Sequence, residues 1–282
     1  MPSPSSSAQA AREALAARLR DLRLDAGLHG RDLAALCGWH PAKTSRIENS
    51  KTAPSDADIR AWCAACKADD QAPDLIAASR AAGSLYIQWK RLHRTGLRRL
   101  QESYVPLYER TRSFQVYCNT VVPGFLQTEG YATALLKTVA TFRETPDDVS
   151  EAVAARLARS HVIRGGDRRF SMLVEESVLR FRIGNAEVMA GQLGHLLAVM
   201  SLPSVSLGVI PFAAPRTLWP LETFNIFDAE EAAVETLSAQ VTVTAPGEVA
   251  LYVKAFSELQ KMAVHGARAR GLMTGAIDAL NC

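Results

Sequence analysis

Residues 30–49 read GRDLAALCGWHPAKTSRIEN, and this stretch decides the fold of the N-terminal third. Leu33, Ala34 and Cys37 share one face of a short helix over about Gly30–Cys37. Gly38 permits a sharp turn after it. Pro41 suits the first turn of the next helix, where its missing N–H leaves no hydrogen bond unmade. That helix runs to about Asn49, with Thr44 and Ile47 turned inward. His40, Ala42, Lys43 and Arg46 are left facing out. Two short helices around a tight turn make a helix-turn-helix, whose second helix enters a DNA major groove by its N-terminal half.

The flanking sequence supplies the helices that such a pair needs to bury its apolar sides. Upstream, Leu15, Leu19, Leu22 and Ala26 recur at helical spacing from Arg12, and Gly27 ends that helix. Downstream, Pro54-Ser55-Asp56-Ala57-Asp58 opens a fourth helix, with Ser55 and Asp58 spaced as a capping box. Ile59, Trp62, Cys63 and Cys66 form its apolar face. Cys63 and Cys66 also make a Cys-x-x-Cys pair, which leaves a redox-sensing role open. Reactive pairs sit exposed at a helix start, whereas Cys63 lies inside a helix on the core side.

The string LRDLRLDAGLHGRDLAALCGWHPAKTSRIENSKTAPS, residues 19–55, resembles the Xre-type, phage-repressor-like helix-turn-helix. Its matching features are Leu33-Ala34, Gly38, the run Ser45–Asn49 and Pro54. The resemblance implies that Pro41, Ala42 and Arg46 read base edges. It implies phosphate contacts for His40, Lys43, Asn49 and Lys51. Family members often open the second helix with Gln, and Gly30-Arg31 departs from that pattern, so Arg31 is expected to take over a phosphate contact. Glu48 is expected to pair with an arginine on the core side.

Residues 71–112 are expected to form a basic helical connector, anchored by Tyr86, Trp89 and Leu92 and charged by Lys90, Arg91, Arg94, Arg98 and Arg99. Its arginines either reach flanking phosphates or simply solvate an interdomain helix. From 113 to 282 helical stretches alternate with strand candidates at Arg169–Glu175, Val205–Ile210, Leu221–Phe227, Ala233–Leu237 and Gln240–Thr244. One long helix over about Glu248–Asp278 is expected to close the chain. The fold expectation is therefore a mainly α N-terminal domain of four to five helices over 12–70. An α+β domain with a four- to five-stranded sheet follows, and residues 1–11 are a disordered lead-in. The strings VPGFLQTEGYATALL, RRFSMLVEESVLRFRIG, MAGQLGHLL, LPSVSLGVIPF, LETFNIFD and VETLSAQ resemble the C-terminal domain of the WhiJ-like actinomycete regulators. That resemblance implies a regulator with a small partner protein encoded nearby, in an antitoxin-like arrangement, and implies no catalytic residue.

Charge is distributed to match. Residues 86–112 hold seven Lys/Arg against two Asp/Glu, whereas 113–282 hold fourteen against seventeen. The front of the chain thus attracts polyanions and the back does not. No apolar run is long enough for a membrane span, and MPSPSSSAQA has neither the basic start nor the apolar core of a secretory signal. Five cysteines without framework spacing fit a reducing cytoplasm. No cofactor, metal site or catalytic group is expected. Glu175 and Glu176 are adjacent on a strand end and point to opposite faces, and His195 lies in an apolar helix. Arg216 and Trp219, in a loop between strands, are candidates for holding an acidic or planar ligand, or else for a plain surface loop. The expectation is a homodimeric, sequence-specific regulator of double-stranded operator DNA in the cytoplasm, at the nucleoid. The alternative is an antitoxin-like protein that sequesters a small partner.

Overall fold

The computed structural model describes residues 4–81, 86–88 and 96–281. Its contacts divide the chain into two compact units. The first holds residues up to Tyr86 with Thr242–Val249, and the second holds the rest. The connector residues Trp89, Lys90, Arg91, Leu92 and Arg94 lie outside the described residues.

The first unit is helical: α1 (Pro4–Asp25), α2 (Gly30–Leu36), α3 (Pro41–Glu48), α4 (Asp56–Ala65) and α5 (Ala72–Ala81). α1 begins at Pro4, within the segment expected to be a disordered lead-in. Leu19, Leu33, Ile59, Trp62 and Cys63 are fully buried in one shared core, because no helix of this length can cover its own apolar face. The Trp62 indole N–H donates to the Leu19 carbonyl at 2.9 Å, which ties α4 to α1 through the core. The capping box at α4 forms as its spacing predicts. Ser55 Oγ accepts from the Asp58 N–H at 3.2 Å, and the Asp58 carboxylate accepts from the Ser55 N–H at 3.1 Å.

The second unit is a mixed α/β domain. Six strands, β2 (Ser113–Cys118), β3 (Arg169–Glu175), β4 (Val205–Ile210), β5 (Phe224–Phe227), β6 (Glu231–Glu235) and β7 (Ala239–Val243), join the short β1 (Tyr86–Gln88) in one sheet. The order is β1-β7-β6-β5-β2-β3-β4. The sheet is therefore larger than the four to five strands expected. β2–β3 and β3–β4 run parallel, whereas β2–β5 and β5–β6 run antiparallel. Parallel neighbours need long crossovers, and helices supply them. α6 (Leu97–Ser103) and α7 (Val105–Arg110) precede β2. α8 (Glu129–Arg143) and α9 (Val149–Arg159) lie between β2 and β3. α10 (Glu176–Arg180) and α11 (Ala186–Val199) lie between β3 and β4.

One face of the sheet buries Phe114, Val116, Phe170, Met172 and Leu207 against Met189 and Leu193 of α11. Phe114 stacks on its register partner Phe170, with ring centroids 4.4 Å apart. The other face carries Tyr117 and Phe224, and Tyr252 meets Phe224 edge-on. Tyr252 belongs to α12 (Pro246–Met262), and α13 (Gly266–Asp278) follows. The single closing helix expected is thus two. They break where Val264 leaves the helix to exchange backbone hydrogen bonds with Val209 of β4.

Candidate nucleic-acid interface

α3 lies on the core by Thr44 and Ile47, both buried. With that side fixed, the 3.6-residue period turns Pro41, Ala42, Ser45, Arg46 and Asn49 outward, and all five are exposed. In the sequence Ser45 counts only as part of a matching run and not as a DNA-contacting residue. Its position four residues after Pro41 was the signal that places it on the same stripe. The helix starts at His40, whose Nδ1 accepts from the Ala42 N–H at 3.2 Å. His40 is thereby held beside the first turn, where an approaching anion meets unpaired backbone N–H groups. Asn49 closes the other end, its side-chain amide donating to the Ser45 carbonyl at 2.7 Å.

Arg31, Arg46 and Lys51 are exposed, and among the described residues their charged groups make no hydrogen bond or ion pair. Lys43 differs. Its ammonium pairs with Asp58 at 2.6 Å and sits 4.4 Å from the centre of the Trp39 ring, so without DNA it is drawn to α4. The cause is the α4 capping box, which fixes a carboxylate within reach of Lys43. Burial pushes the Asp58 carboxyl up, but hydrogen bonds from Lys43 and Ser55 outweigh it and hold it below the usual range.

Glu48 pairs with Arg23 of α1 on the core side, as expected. Arg23 Nε donates to Glu48 Oε1 at 2.6 Å, and Arg23 Nη1 donates to the Leu28 carbonyl at 2.7 Å. This nearly buried pair clamps the end of α3 to α1. Where a longer side chain would open α2, Gly30 leaves a groove between α2 and α3, bounded by His29, Arg31, Pro41 and Ser45. Thr44 Oγ1 is buried beside it without a hydrogen-bond partner.

Residues 14–75 match a family described as a helix-turn-helix domain, which points to a DNA-binding regulator. Residues 101–275 match a second family, described as a domain of unknown function, DUF5753. The chain belongs to the DUF5753 family. No curated protein matches it.

Within the DUF5753 domain Glu175, Glu176 and Arg216 are engaged in structural contacts. Arg216 is taken by the buried Glu175, with contacts of 2.8 and 2.5 Å, and Tyr117 donates its hydroxyl to the same carboxylate at 2.8 Å. Arg216 therefore neutralises a buried acid, and Trp219 stands 70% exposed. Glu176 accepts from Arg180 at 2.9 Å and from the Phe212 N–H at 2.9 Å. The two adjacent carboxylates thus serve different partners. Cys63 and Cys66 are buried, and burial pushes the Cys63 thiol up to about 11. Among the described residues there is no cluster of three or more metal-ligating groups and no helix long and apolar enough to cross a membrane.

Proposed function

We propose that the chain is a sequence-specific, Xre-like transcriptional regulator. Its α3 reads operator DNA, and its DUF5753 domain, of the WhiJ-like kind, receives a signal. The observation that carries this reading is the stripe Pro41, Ala42, Ser45, Arg46 and Asn49. It is exposed along one side of a helix whose other side is locked into the core. Arg46 is the base-reading residue, since a guanidinium presents two parallel donors to guanine O6 and N7. Ala42 and Pro41 offer the apolar contact that a thymine methyl accepts. Arg31, His40, Asn49 and Lys51 contact phosphates and set orientation. The protein acts as a homodimer in the cytoplasm, because paired heads match half-sites spaced by one helical turn. A cavity of about 300 Å³ within the DUF5753 domain supports the receiving role.

The test is retention of genomic fragments by the purified protein beside an Arg46→Ala control. A short palindromic motif, lost or relaxed in the control, is the expected result. Retention without sequence preference contradicts the proposal and directs attention to the antitoxin-like reading, in which a co-purifying small protein is the main partner.

A further inference from the structure

The DUF5753 cavity lies between α6–α7, the chain after β2, α8–α9 and strands β5 and β6. Two arginines of α9 line it, Arg156 and Arg159. Arg156 is held in place by neutral groups. Its Nε donates to Gln101 Oε1 at 3.0 Å, and its Nη1 donates to Gln127 Oε1 at 2.6 Å. Both glutamines are buried, and Gln127 is fixed in turn by donating to the Val122 carbonyl at 2.7 Å. Arg159 is 8% exposed and lies over two tyrosine rings, 4.7 Å from the centre of Tyr104 and 5.1 Å from that of Tyr108. The rings occupy the face of the guanidinium; Nη1 reaches the Tyr108 hydroxyl at 3.4 Å, and the rest of the in-plane N–H edge, the edge that carboxylates bind, is left to the cavity.

Among the described residues no carboxylate forms an ion pair with Arg156 or Arg159. Glu235 also lines the cavity and its charge acts on Arg156, but it is exposed and shares that charge with Arg143 at the same rim. Two oriented guanidiniums close together inside a protein are unfavourable unless an anion joins them. Their proximity and burial show in the Arg156 guanidinium, which desolvation first and then the charge of Arg159 hold down at about 10. A purely structural arginine in such a place is met by an acid, as Arg216 is by Glu175 in this same domain. Here glutamines fix the geometry, and the charge is offset only in part, by the exposed Glu235 acting without an ion pair. The remaining walls include Leu97, Leu100, Leu136, Val139 and Phe125, which suit an apolar body. The volume of about 300 Å³ stands at the small end of the range for small-molecule sites.

We infer that this cavity binds a small organic acid, with one carboxylate on the Arg156–Arg159 pair and a compact apolar body among the leucines. The acid is the signal for the regulator proposed above. Binding is read without DNA, so that its failure and a failure of operator recognition are separate results.

The experiment follows the melting temperature of the full chain at fixed ionic strength with benzoate, phenyl phosphate, inorganic phosphate, benzyl alcohol or chloride. A ligand that binds only the folded state raises the melting temperature in a saturable way. Benzoate is expected to do so, and benzyl alcohol and chloride are not. Arg156→Gln is expected to weaken the benzoate response on the order of 10- to 100-fold in concentration, the loss of a charge-assisted contact. Val139→Trp, which fills the cavity and spares both arginines, is expected to abolish the response, and it decides the matter if Arg156→Gln does not fold. Benzoate acting no differently from chloride or benzyl alcohol overturns the inference, as does a benzoate response preserved in the folded variants. A response to inorganic phosphate or phenyl phosphate without one to benzoate overturns the assignment to carboxylic acids.

Discussion

At the scale of single residues, the roles of like side chains are set by what the neighbouring backbone places beside them. Arg23, Arg46, Arg156 and Arg216 are chemically identical. Arg23 pairs with the part-buried Glu48, Arg216 neutralises the buried Glu175, Arg46 faces water, and Arg156 is held between glutamines. Glu48→Ala removes the partner of the nearly buried Arg23. It is expected to lower stability by ~3 kcal/mol, the usual consequence of leaving such a charge unpaired, measured by urea unfolding. Lys51→Ala, in contrast, is expected to leave stability unchanged. It should weaken binding to all DNA sequences alike and make the salt slope of log K shallower by ~0.9, the signature of one lost phosphate contact. Cys63 and Cys66 look like a redox pair in the sequence, but their burial and the raised Cys63 thiol keep thiolate scarce near neutral pH. DNA affinity is therefore expected to be equal with and without a reductant; a loss on oxidation, restored by reduction, would contradict this.

At the scale of elements, the N-terminal helices were legible because their signals are local. Gly27, Gly38, Pro41 and the Ser55–Asp58 box each mark a boundary, and all fall at the ends of helices in the structure. The C-terminal sheet was only partly legible. β3, β4 and the β5–β6 pair announce themselves by β-branched and aromatic runs. β2, the strand between β3 and β5, went unread, because Ser113–Cys118 follows a proline- and aromatic-rich stretch and takes its identity from strands far along the chain. The cavity arginines were hidden for the same reason, since Gln101 and Gln127 approach Arg156 from different elements. Long-range capping was equally invisible. Asp148 stands at the start of α9, yet its carboxylate accepts from the N–H groups of Leu97 at 2.9 Å and Arg98 at 2.8 Å, capping α6. Gly96, just before, has φ 93° and ψ 169°, a conformation essentially reserved for glycine, and a Cβ there would stand 2.2 Å from Asp148 Oδ2. Gly96→Ala combines backbone strain with loss of the cap. It is expected to destabilise the domain by ~2–4 kcal/mol, against ~1 kcal/mol for Asp148→Ala, both read from urea midpoints. Equal effects would contradict this account of Gly96.

At the scale of the whole molecule, a DNA-binding helix-turn-helix head and a DUF5753 domain share one chain. The most direct test of the central claim, that the exposed face of α3 reads sequence, is a titration of the full-length protein and of Arg46→Ala. Each is titrated against a recovered operator and its single-base variants at fixed salt. The account predicts that the wild type discriminates at one guanine position per half-site by ~1–3 kcal/mol, and that Arg46→Ala loses that preference while keeping the others. Unchanged discrimination at every position in Arg46→Ala would contradict the claim and move base recognition off this face of α3.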